Sequence, residues 1–224
     1  RLGHEKFGKE VHAYSVGYTR HDVEAVRGLA DKIIFNSVSQ LEMFYPLAGC
    51  SSVGLRVNPG FSYSHFDLAD PARRYSRLGV VDKKEWEKAL PKLDGAMFHF
   101  NCENDDFQSF TRQLGLIAER FGAGLKRLSW VSLGGGIYFT RPGYPVDRFC
   151  RLIRAFGERF GVQVYLEPGE SAITRSAELV TRVVDIVKNR KRIAIVDAST
   201  EAHMLDLLIY RQSAKIQDAG AGPH

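Results

Sequence analysis

Between residues 11 and 166 the chain repeats one grammar: a short, mostly apolar strand-like run, then a stretch whose apolar positions recur at helical spacing. The runs cover 11–16, 32–36, 53–58, 95–100, 128–133 and 162–166, and the helical stretches cover 21–30, 38–44, 83–90, 106–121 and 146–160. Successive strands separated by helices cannot pair as hairpins, so they are expected to line up in parallel. Six strand–helix steps in succession imply a parallel sheet with both faces covered, although the run 11–16 alternates as a short strand. One interval departs from the rhythm. Residues 60–77 are polar and irregular, a length that a compact domain keeps when the loop serves an active site.

After residue 170 the pattern changes. Residues 179–187 and 193–197 are dense in Val and Ile and flank the basic turn Lys188-Asn189-Arg190-Lys191-Arg192, which predicts an antiparallel hairpin. The expected organisation is therefore a parallel barrel over 1–174 followed by the start of an antiparallel β domain over 175–224.

Composition excludes several classes. A net charge of +5 in 224 residues is modest, and apart from the basic turn it is dispersed. Without interleaved aromatics or a known module, that turn does not make a nucleic-acid surface. No run approaches the roughly 18 apolar residues of a membrane span, and no leader peptide is visible. Cys50, Cys102 and Cys150 are odd in number and widely spaced, which suits reduced thiols and a cytoplasmic protein. The chain opens on Arg1 within a helix-like stretch and closes on a loop, Asp218 to His224, so it is expected to be an internal piece of a longer protein.

In a barrel of this kind chemistry collects at the carboxyl ends of the strands. Taken in order, those ends carry Asn36; Arg56 and Asn58; His99, Cys102 and Glu103; Gly134, Gly135 and Gly136; and Glu167 with Glu170. Three successive glycines leave main-chain N–H groups open to a phosphate. A carboxylate at the next strand end can reach whatever that phosphate anchors, and a flat imidazole can stack on a ring. The set suits pyridoxal 5'-phosphate, whose protonated pyridine serves as an electron sink. Taken singly, each element has a structural explanation: a glycine turn, a core histidine, a Glu-Pro-Gly bend, an arginine in a core ion pair. His99, Cys102 and Glu103 lack the further ligands at recognised spacing that a metal site needs, so no metal is expected. The order of these groups along one sheet favours the ligand site.

The segments GLRVNPG, FHFNCE, SLGGGIYFTRPGY, LEPGE and VDASTEAHMLD resemble the carboxynorspermidine (carboxyspermidine) decarboxylases, within the fold-type III group that includes ornithine and diaminopimelate decarboxylases. The resemblance runs from Arg1 to the final residues. It implies a TIM-type (β/α)8 barrel lacking its first strands, a following β domain cut short, and a cytoplasmic homodimer. It also implies pyridoxal phosphate and decarboxylation of carboxynorspermidine or carboxyspermidine. Diaminopimelate, arginine or ornithine decarboxylation, and a non-catalytic binding relative, are the alternatives. By the same resemblance His99 stacks on the pyridine ring; Gly134, Gly135 and Gly136 hold the phosphate; Glu167 pairs with the ring nitrogen; and Arg56 supports the cofactor. Glu170 stands where the wider group commonly has an arginine, and with Asp206 it is expected to bind the ammonium groups of the polyamine. The lysine that carries the cofactor is expected upstream of Arg1, which leaves no catalytic residue in this chain and an inactive piece.

Overall fold

The computed structural model describes residues 1–217; the closing loop read from the sequence at Asp218 to His224 lies outside the described residues. The chain divides into two compact units, Arg1–Ala172 and Ile173–His224.

The first unit is built on six parallel strands in sequence order: β1 (His12–Tyr14), β2 (Lys32–Phe35), β3 (Ser52–Arg56), β4 (Gly95–Met97), β5 (Trp130–Ser132) and β6 (Gln163–Tyr165). Helices return the chain after each of β1 to β5: α1 (Arg20–Val26), α2 (Val38–Phe44), α3 (Lys83–Ala89), α4 (Phe107–Leu125) and α5 (Val146–Phe160). Four of them start on side chains suited to capping. Thr19 forms a reciprocal capping box with Asp22, and Ser37, Asp82 and Asp106 accept from the first free N–H groups of their helices. Local chemistry thus stops the loop and starts the helix at α1 to α4, while α5 follows Pro145 without a side-chain cap.

Alternate residues of the strands feed two cores. Ile33, Phe35, Val53, Leu55, Ala96, Phe98 and Val131 face the helices and pack with Phe110, Leu114 and Ile117 of α4. On the opposite face Ile34, Met97 and Trp130 form a second core with Tyr14 and Tyr165 against it. That inner face is curled. His12 of the first strand meets Tyr165 of the sixth edge-on, with ring centroids 4.6 Å apart. Glu10 joins the same strands, accepting from His12 Nε2 at 2.9 Å and Tyr165 Oη at 2.9 Å and pairing with the buried Lys32. The unit is therefore an α/β fold with a parallel half-barrel sheet.

The bulk of the inner core is one indole. Trp130 lies across β4 and β3, where a Cβ on Gly95 would fall 2.0 Å, and one on Gly54 2.4 Å, from its ring atoms. Its Nε1–H donates to Ser52 Oγ at 2.8 Å, so the indole is fixed as well as packed.

The interval at 57–82 is stitched to the sheet. Val57 bridges to Val80 at the loop's base and Tyr63 bridges to Asn101 beyond β4. No helix among the described residues is long and apolar enough to cross a membrane.

In the second unit, β7 (Val183–Asn189) and β8 (Lys191–Val196) form an antiparallel pair, with Arg190 left-handed (φ 57°) at the turn. The first strand begins at Val183, later than the expected 179. Asp197 Oδ1 takes the Arg182 N–H at 2.8 Å and so closes the ladder there. Among the described residues there are also short helices α6 (Gly169–Ile173), α7 (Thr200–His203) and α8 (Leu205–Ile209), α6 straddling the point of division.

The glycines separate two outcomes. Gly95→Ala forces its methyl into the Trp130 indole and should lower unfolding free energy by about 3 kcal/mol in urea titrations. Gly115→Ala, in α4 where no atom lies within 4 Å of the new Cβ, should raise it by about 0.5–1 kcal/mol.

Candidate functional site

The strand exits converge on the glycine turn after β5. Gly134 and Gly136 are left-handed (φ 69° and 74°), a conformation that side chains resist. Space demands glycine too. A Cβ at Gly134 would lie 2.6 Å from His99 Nδ1, one at Gly135 2.2 Å from the Glu167 carbonyl oxygen, and one at Gly136 2.3 Å from the Asn101 carbonyl oxygen. The turn is thus the point where the exits of β4 and β6 close on β5. The structure brings His99, Gly134, Gly135, Gly136 and Glu167 together as expected from their order.

Glu167 is held from both ends. Its N–H donates to the Gly134 carbonyl at 2.9 Å, and its carboxylate Oε1 accepts from the fully buried Ser132 hydroxyl at 2.5 Å. Ser132 Oγ in turn accepts from the Gly134 N–H at 3.1 Å. One hydroxyl therefore fixes both the carboxylate and the turn. Among the described residues the second carboxylate oxygen, Oε2, has no hydrogen-bond partner.

His99 stands between this carboxylate turn and β3. The Gly135 N–H points at its Nδ1 from 3.5 Å, a long contact. Burial pushes the imidazole pKa down to about 4 and the Arg56 guanidinium adds to that, against a backbone hydrogen bond with Asn101 that opposes it. The ring is neutral near pH 7.

Arg56, at the end of β3, is buried and has no ion-pair partner among the described residues. Its Nη1 donates to the Tyr14 hydroxyl at 2.6 Å. A core ion pair, the structural alternative for this residue, is not formed among the described residues; the partner is a neutral phenol.

Cys102 is held as a thiol, its pKa raised first by burial and lowered in part by a hydrogen bond with Ser64. Among the described residues no group of three His, Cys, Asp or Glu side chains could hold a metal ion. Glu170 is exposed in α6, and its Oε2 accepts from the Tyr138 hydroxyl at 2.9 Å, two residues beyond the glycine turn. The Tyr138 phenol is pushed up by burial and by this carboxylate. Asp206 lies in the second unit, in the first turn of α8. Among the described residues no lysine ends a strand of the parallel sheet.

Ser132, Tyr14 and Tyr138 had no assigned role in the sequence. The position of Ser132 two residues before Gly134 was the signal for it; the phenols reach their partners only through the fold.

No protein-family model matches the chain. It is 54% identical over 219 residues, 98% of its length, to the carboxynorspermidine/carboxyspermidine decarboxylase of Herminiimonas arsenicoxydans. It is 36% identical, again over 98% of its length, to the protein of that name from Campylobacter jejuni. The crystal structure of carboxynorspermidine decarboxylase complexed with norspermidine from Campylobacter jejuni superposes with a TM-score of 0.81 at 37% identity, covering 92% of this chain and 53% of that one. Over nearly its whole length the chain is thus similar to these decarboxylases. It spans 60% and 57% of the length of the two curated relatives. A diaminopimelate decarboxylase at 19% identity, with a TM-score of 0.70 over 88% of this chain, shares the fold.

The depressed His99 pKa has a thermodynamic consequence. Between pH 6.5 and about 4 the unfolded chain binds a proton at this position that the folded chain refuses, so stability falls as pH drops through that window. The His99 imidazole resonances should titrate with a midpoint near 4, and His99→Leu should flatten part of the stability loss measured between pH 6.5 and 4.

Proposed function

We propose that the full-length protein is a pyridoxal-phosphate-dependent decarboxylase that removes the carboxylate of carboxynorspermidine or carboxyspermidine in polyamine synthesis, releasing norspermidine or spermidine. The observation that carries this is the Glu167 carboxylate, fixed by Ser132 with one oxygen free, beside a neutral His99 and a glycine turn. The names of the two curated relatives, and the norspermidine in the solved Campylobacter structure, support the same substrate class.

The residues present fit that cofactor. Gly136 has a main-chain N–H without a partner among the described residues, in a turn that no side chain could enter, which suits a phosphate oxygen. The free Oε2 of Glu167 suits the hydrogen on a pyridinium nitrogen. When bound, pyridoxal phosphate supplies an electron sink for the pair of electrons left by the departing carboxylate.

This chain's own groups do the rest. Glu167 keeps the ring nitrogen protonated because a nearby anion favours the charged form. Ser132 holds that carboxylate in line, so the orientation costs nothing further when the ligand arrives. A neutral His99 can lie flat against a protonated ring, where an imidazolium would repel it. Arg56 supports the cofactor with its unpaired positive charge. Glu170, oriented by Tyr138, and Asp206 take the substrate's ammonium groups, whose removal from water needs paired charge.

In this proposal the six strands are six of the eight in a (β/α)8 barrel, and the hairpin is the start of the second domain. Residues outside this chain supply the remaining strands and the lysine that carries the cofactor. The enzyme works as a cytoplasmic homodimer.

Substitution separates the roles. In the full-length protein Glu167→Gln should lower kcat by about a hundredfold or more while cofactor absorbance persists; nearly unchanged turnover would make Glu167 a bend residue. Glu170→Gln or Asp206→Asn should raise KM for carboxynorspermidine about tenfold to a hundredfold. Loss of cofactor with normal triamine binding would move both carboxylates out of the substrate site.

A further inference from the structure

Arg56 is held by a relay that the cofactor site does not by itself require. Its Nη1 donates to the Tyr14 hydroxyl at 2.6 Å, and its guanidinium carbon lies 5.0 Å from the Tyr14 ring centroid. The hydroxyl spends its own proton on Asn36 Oδ1 at 2.9 Å, so toward Arg56 it acts only as an acceptor. Asn36 is buried and cannot turn its amide over. Its Oδ1 also accepts from the Gly79 N–H at 2.9 Å, while its Nδ2 donates to the Arg77 carbonyl at 2.9 Å. The polarity of the whole series, Arg56 to Tyr14 to Asn36, is therefore set.

The returning end of the long loop also grips the arginine's stem. The Val80 N–H donates to the Arg56 carbonyl at 2.9 Å. At Gly79 (φ 84°) a Cβ would lie 3.1 Å from Arg56 Cγ and 2.9 Å from the Asn58 nitrogen, so the loop's main chain runs directly against the side chain. A guanidinium buried against one neutral hydroxyl is costly. A fold that fixes such a group from both ends keeps it available for an anion.

Resting on the cofactor site proposed above, we infer that Tyr14 and Asn36 are positioning residues: they hold the Arg56 guanidinium beside His99, where it takes an anionic oxygen of the bound cofactor. The cofactor offers two such oxygens, on its phosphate and on its ring hydroxyl. The relay also links that grip to the loop at 57–82, because the Arg77 and Gly79 main chain is what locks Asn36.

The test is calorimetric titration of the full-length protein with 4-deoxypyridoxine 5'-phosphate, which has no aldehyde and so reads only non-covalent contacts. Tyr14→Phe keeps the ring under the guanidinium and removes the hydroxyl; it should weaken binding about tenfold, as should Arg56→Gln. The double variant should bind no more weakly than Arg56→Gln alone, because Tyr14 acts through Arg56. Wild-type affinity in Tyr14→Phe, or effects that multiply in the double variant, would overturn the inference while leaving the cofactor site intact. Failure of the wild-type protein to bind would instead overturn the cofactor site itself. Should Arg56→Gln not fold, the His99 imidazole titration decides: in Tyr14→Phe its midpoint rises if the guanidinium has been released, and an unmoved midpoint refutes the relay. Repeating the series with unphosphorylated 4-deoxypyridoxine tells the oxygens apart, coupling that survives assigning Arg56 to the ring hydroxyl and coupling that vanishes assigning it to the phosphate.

Discussion

The half-barrel depends on an exchange of volume across three strands. Trp130 occupies the room that Gly95 and Gly54 vacate on the neighbouring strands, and its indole nitrogen is tied to Ser52. Small residues weaken a strand when taken alone. Here they let the inner face close around one large ring, and burying that ring is a strong source of apolar stabilisation. The exit of β5 is set by the same strand. Two residues after Trp130 comes Ser132, so the group that fills the core and the group that orients Glu167 share one rigid segment.

At the mouth, the chemistry is arranged by main chain approaching main chain. Each of the three glycines gives way to a different neighbour: His99, the Glu167 carbonyl and the Asn101 carbonyl. Close approach makes the turn narrow, and a narrow, partly buried setting strengthens every charge inside it. That is why a neutral imidazole, a single carboxylate and an unpaired guanidinium can sit within one cluster and divide the work among them.

Much of the architecture was legible because it is written in local terms. The period of the strands and helices is visible to anyone counting residues. The glycine turn and Glu167 could be seen as candidates for the same reason. Their partners could not. Ser132 meets Glu167 from 35 positions away, and Tyr14 meets Arg56 from 42, contacts that exist only once the sheet has formed. The hairpin shows the opposite failing: β-branched residues from 179 onward invite an early strand, but the Asp197 carboxylate ends the ladder at Arg182.

The long excursion after β3 is sewn down at its base by the Val57–Val80 bridge and part-way along by the Tyr63–Asn101 bridge. Between those seams Leu68 and Tyr75 stand 70% and 85% exposed. Away from the Arg77 and Gly79 main chain that locks Asn36, sequence there can lengthen, shorten or change character without pulling on the strand ends, since the seams absorb the difference. A lineage could thus remodel the rim that incoming molecules first meet while the machinery beneath it stays as inherited, which makes this stretch the natural ground for divergence among relatives.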